Sequence, residues 1–78
     1  MPIEYQETAA RFREVVEVAE ADGLREWLQQ NPQGNLNLAA CVHLHAANLQ
    51  VLMAARPVIS HWPEDQVQRT WLESALRD

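Results

Sequence analysis

Seventy-eight residues make one small domain, spanning 1–78, which buries only about 60 to 65% of the surface its unfolded chain exposes, so the core has to be efficient. The formal net charge is −5 and the six cations are scattered arginines, a pattern that disfavours sequence-independent nucleic-acid binding, which needs clustered Lys and Arg. Cys41 is the single cysteine, which excludes an intramolecular disulfide; MPIEYQE at the start has neither a basic nor an apolar leader region, and no apolar run approaches the roughly 20 residues of a membrane span. The expectation is a cytoplasmic chain with no nucleic-acid or membrane association.

Ile3 to Glu7 is short and β-compatible, and RFREVVEV, Arg11 to Val18, alternates in part through Phe12, Val15, Val16 and Val18. A hairpin joined at Thr8 to Ala10 is expected, with a helix from Ala9 through Val18 as the competing reading because Ala, Arg and Glu favour helix. From Ala19 onward Leu24, Trp27 and Leu28 stand at helical spacing until Asn31-Pro32-Gln33-Gly34 stops the run, which predicts the first helix. The acids of this region, Glu4, Glu7, Glu14, Glu17, Glu20, Asp22 and Glu26, read as a solvated face.

Between Asn35 and Ala55 the hydrophobic period changes. Leu36, Leu38, Ala40, Val42 and Leu44 recur every second residue, as on a strand with one buried face, whereas Leu49, Leu52 and Met53 mark a helical face. This predicts a central strand over Asn35 to His43 and a second helix over Ala46 to Ala55, stopped by Pro57 because the residue before a proline is pushed out of the α region. Val58 to Trp62 then reads as a linker, and Pro63, followed by Glu64 and Asp65, as the first turn of a third helix with Val67, Trp71, Leu72, Ala75 and Leu76 on one stripe. In so small a domain Trp62 and Trp71 are expected in the core; an exposed tryptophan would instead mark a partner contact. Strand and helix alternate, so the fold class is α/β, with a small sheet of about three strands and two to three packed helices, joined by crossovers of the usual right hand.

LNLAACVHLHAANLQVLMA, Leu36 to Ala54, resembles the STAS domain, the module of anti-sigma factor antagonists, sulfate-transporter tails and several bacterial signalling proteins. In that family a strand of the form Leu-Asp-Leu-Ser leads through an apolar residue to Asp-Ser-Ser-Gly or Asp-Thr-Ala-Gly and then to a leucine-rich helix. Here Leu36-Asn37-Leu38-Ala39 stands for the first element, His45-Ala46-Ala47-Asn48 for the second and Leu49 to Ala55 for the helix, while Glu17 to Pro32 looks like the family's first helix and its exit. The resemblance covers about half the chain. It implies a protein-interaction module whose partner is a kinase, an anti-sigma factor or a chemotaxis-type signalling protein. The serine that the antagonists phosphorylate is matched by Ala46, beside Ala47, so that switch has no hydroxyl to act on. Asn37 and His45 replace the acids of both motifs. A full member continues into another strand and helix, and Pro57 to Pro63 leading straight to the last helix implies a domain one strand short.

The chemistry-bearing residues are few. Cys41, His43 and His45 stand at i, i+2 and i+4, which on a regular strand puts thiol and imidazoles on one face with His61 as a fourth candidate zinc ligand; the alternative is a buried apolar Cys41 with the histidines at the polar end of the strand. His45 has no serine or cysteine at a nucleophile's spacing and is better placed to cap the second helix, or to pack at a rim, than to act as a base. With glycine only at Gly23 and Gly34 there is no phosphate-cradling loop, so a non-enzymatic chain without a cofactor is expected. The expected partner surface is the start of the second helix, His45, Ala46, Ala47, Asn48 and Gln50, together with a sheet edge left by the missing strand. Two alternatives stand beside it: a metal-binding protein using Cys41, His43 and His45, and a homodimer whose edges pair.

Overall fold

A computed structural model of the chain describes residues 2–76. It is a mixed α/β fold in which the sheet order follows the chain: β1 (Ile3–Tyr5), β2 (Ala9–Val16), β3 (Asn35–Leu44) and β4 (Val58–His61). β1 and β2 are antiparallel, whereas β3 and β4 each join in parallel after a helical crossover. The helices are α1 (Ala21–Gln30), preceded by a 3-10 turn at Val18–Glu20, α2 (Ala46–Ala55) and α3 (Gln66–Leu76). No helix among the described residues is long and apolar enough to cross a membrane.

The hairpin reading holds against the helical one for Ala9 to Val18. Ala9 and Ala10 belong to β2, however, and the turn is made earlier, with Gln6 N–H donating to the Ala9 carbonyl at 2.8 Å. Ala10, Phe12 and Val16 are buried while Arg11, Arg13 and Val15 point away, the alternation of a strand with one covered face. α1 then carries Leu24 and Leu28 into the core. Its exit is tight: a Cβ on Gly34 would lie 2.6 Å from the Trp27 ring and 3.0 Å from the Asn31 carbonyl, so the chain passes under the indole only with glycine there. Tyr5 stacks on the same indole with ring centroids 5.6 Å apart.

β3 departs from the expected alternation in a regular way. Its buried side chains are Leu36, Leu38, Cys41 and Leu44, while Ala40 and Val42 are exposed. Register explains this, because Ala10 pairs with Leu36 and Val16 with Leu44, so six steps along β2 are matched by eight along β3. The two surplus residues are taken up in bulges, one between Asn37 and Ala40 and one between Cys41 and His43, and each shifts the buried set by one residue. Both have local support. Asn37 Oδ1 accepts from the Ala39 amide at 3.0 Å at the first, and at the second Glu14 on the facing strand takes a left-handed φ of 54°.

The segment expected to be a linker is β4, so the sheet has four strands and the domain is not one strand short. The five residues between Pro57 and Pro63 give too little pattern to read as a strand, but Val58-Ile59 pairs in register with Asn35-Leu36. At its own bulge the Ser60 hydroxyl donates to the Leu36 carbonyl at 3.0 Å. The third helix also begins later than Pro63. Pro63 is buried ahead of α3, and Asp65 caps the helix, its Oδ1 accepting from the Gln68 amide at 3.0 Å. The helix is rotated from the expected stripe, for Leu72 is fully buried with Ala75 and Leu76 beside it, while Val67 is 76% and Trp71 39% exposed. Trp71 is therefore not a core residue; Trp62 is partly buried against the core, as is Met53 beneath Leu49 and Leu52 of α2. Every helix contributes to one apolar cluster, and the opposite side of the sheet, carrying Arg11, Arg13, Val15, Ala40, Val42, His43 and Val58, is open.

Candidate functional site

The junction between β3 and α2 is rigid for reasons that can be followed residue by residue. His45 leaves the strand with φ −62° and ψ 145°, its amide donating to the Val16 carbonyl at 2.8 Å, and its Nδ1 accepts from the Ala47 amide at 3.0 Å. An imidazole nitrogen that accepts carries no proton, so the ring caps α2 as the neutral tautomer protonated at Nε2. The first turn of α2 is then fastened from below by Asn48, whose Nδ2 donates to the Glu17 carbonyl at 2.7 Å and, at 3.4 Å, to that of Val16. Its Oδ1 is buried without a hydrogen-bond partner among the described residues.

Asn48 is therefore no part of an exposed partner surface: it is 0% exposed and joins α2 to the end of β2. Of the remaining expected contact residues His45, Ala46 and Gln50 are exposed and Ala47 is half-buried.

The alternative ligand face of Cys41, His43 and His45 does not form, and Cys41 packs as the small apolar group of the other reading. The bulge at Val42 puts Cys41 on the buried side and His43 on the open one, and the Cys41 thiol donates to the His43 carbonyl at 3.6 Å. His45 is engaged at the cap, and the Nδ1 of His61 on β4 lies 3.1 Å from the Ser60 hydroxyl. Among the described residues no three His, Cys, Asp or Glu side chains converge as a metal would require. Burial pushes the Cys41 thiol up to about 11, outweighing the opposite pull of the bond to His43, which leaves it the inert thiol of a packed core.

A shallow groove of about 500 Å³ lies at the other end of α2, lined by Arg56, Pro57, Ile59, Trp62, Glu73 and Leu76. Arg56 ends α2 in the left-handed conformation, φ 49° and ψ 56°, and its Nη1 donates to the Leu76 carbonyl at 2.9 Å, so one side chain ties the exit of α2 to the last turn of α3. The signal in the sequence was the Arg-Pro pair, which excludes αR at Arg56 but leaves its alternative conformation open. The chain matches no family model and no curated protein sequence.

Proposed function

We propose that this chain is a non-catalytic, STAS-like protein-interaction module of a bacterial signalling or regulatory assembly, which meets its partner through the first turn of α2. The reading rests on one observation: at the strand-to-helix junction His45, Asn48 and Cys41 are already committed to structure. His45 caps, Asn48 holds two carbonyls and Cys41 is in the core, while His45, Ala46 and Gln50 present an exposed, preorganised turn. Rigid surface of this kind favours binding, because little conformational entropy is lost on docking. The strand and helix that the resemblance implies after α2 have counterparts in β4 and α3. With Ala46 and Ala47 in place of hydroxyl residues, the module binds without phosphorylation at this turn.

The test is capture of partners from the native cell with the tagged chain, repeated with Ala46→Arg and Gln50→Arg and with Thr70→Arg on α3 as control. The same partner should be lost with the first two and kept with the third, all three melting near the parent because exposed substitutions move stability by about ±0.5 kcal/mol. Retention with both α2 variants and loss with Thr70→Arg moves the interface to α3.

A further inference from the structure

The side of the sheet that faces away from the helices carries a feature independent of the α2 turn. Glu4 pairs with Arg11, Arg11 with Asn37 and Asn37 with His61, so these four residues form a single row across all four strands on the open face. Read from β1 to β4 the row runs acid, cation, amide, imidazole. A twofold axis parallel to the strands and passing between β2 and β3 lays β1 over β4 of a second copy and β2 over β3. It therefore sets Glu4 over His61 and Arg11 over Asn37, twice. Further along the strands Arg13 comes opposite Ala40 and Val15 on β2 opposite His43 on β3, with Val42 in the bulge beside it; the two valines are 45% and 62% exposed. The opposite arrangement, with the axis across the strands, places β2 over β2 and brings arginine towards arginine.

We infer that the open sheet face is a self-complementary interface and that its occupant is a second copy of this chain, packed sheet to sheet about that axis. Sheets packed face to face lie about 10 Å apart and cross at about 30°, which displaces edge-strand residues by only about 4 Å, within reach of glutamate and histidine side chains. The isologous contact buries Val15, Val42 and Val58, which a monomer leaves in water. Its size limits its strength. Four strands of 3, 8, 10 and 4 residues project about 400 Å² per copy, below the roughly 800 Å² per partner of a standard interface, so the dimer is weak and forms in the micromolar range or above. Arg13 is held by Glu4 at 2.8 Å within each copy, leaving the Glu4 carboxylate a second oxygen to offer across the interface.

Sedimentation equilibrium of the whole chain from low-micromolar to millimolar concentration tests this, with circular dichroism to verify the fold of each variant. The parent should shift from monomer to dimer across the range. His61→Glu sets acid against acid and should weaken association at least tenfold; adding Glu4→His restores an acid facing an imidazole with the sites exchanged and should recover it. Val42→Glu should abolish the dimer and Val67→Glu, on the far side of the molecule, should leave it intact. A parent that stays monomeric throughout overturns the inference. So does a dimer indifferent to Val42→Glu, or a folded double variant that fails to recover.

Discussion

α2 and α3 are nearly equal in length, yet the sequence places the first to the residue and misplaces the second at its start and on its buried side. The difference lies in what holds each. α2 is capped by its own His45 side chain, anchored by Asn48, and buried through Leu49 and Leu52 between a strand it follows directly and a strand it precedes. α3 contributes one fully buried side chain, Leu72, and is oriented by Asp65 at one end and by Arg56 reaching from α2 at the other. The limits of α2, set locally by His45 and by Arg56-Pro57, are legible; the side of α3 that is buried, set by distant partners, is not.

The most severe way to break this contrast is Asn48→Arg. The substitution removes both bonds to the end of β2 and leaves a charge with no partner where nothing is exposed, so chemical denaturation should show a loss of at least about 3 kcal/mol. A loss below about 1 kcal/mol would put Asn48 at the surface and detach α2 from β2.

Leu52→Ala and Leu72→Ala sharpen it. Both side chains are fully buried, and large-to-small changes cost about 2–5 kcal/mol. Leu52, in the middle of α2, should fall towards the upper part of that range and Leu72 towards the lower, since a helix held by one side chain collapses more readily around the gap. Equal losses would show that α3 is as deeply packed as α2.

The smallest effect is alkaline loosening of the sheet under α2, because no titratable thiol or phenol lies on the described part of α3. Burial raises Cys41 from 9.0 to about 11, so its contribution to stability is complete below pH 9 and is lost as pH rises towards 11. Tyr5 is raised from 10.0 to about 12, by burial first and by Glu20 second, and its smaller, part-exposed contribution fades between those values. Melting temperature should thus be flat to about pH 9 and fall above it, with Cys41→Ala removing the first part of the fall. A fall that begins at the same pH in Cys41→Ala would assign it to other groups.

Much of the architecture was legible in the residues. Breaker residues at Asn31 to Gly34 and Pro57 bounded α1 and α2, the change of period at His45 located the strand-to-helix junction, and of the two readings of His45, cap or rim, the cap is the bond observed. The reasons for the remainder are tertiary. Strict alternation in β3 ends where β2 is two residues shorter over the same span, and a strand cannot anticipate its neighbour's length; that is why Cys41 faces the core while His43, two residues on, faces the open side. β4 becomes a strand because β3 offers it an edge, not because Val-Ile-Ser-His demands it. Asn48 is indistinguishable from a surface asparagine until the carbonyls of Val16 and Glu17 lie beneath it. By itself, then, the sequence determined the α/β class and the local stops and starts, which depend on propensity and capping within a few residues. Only the tertiary structure decided which side chains share a face, because register between strands is a property of pairs.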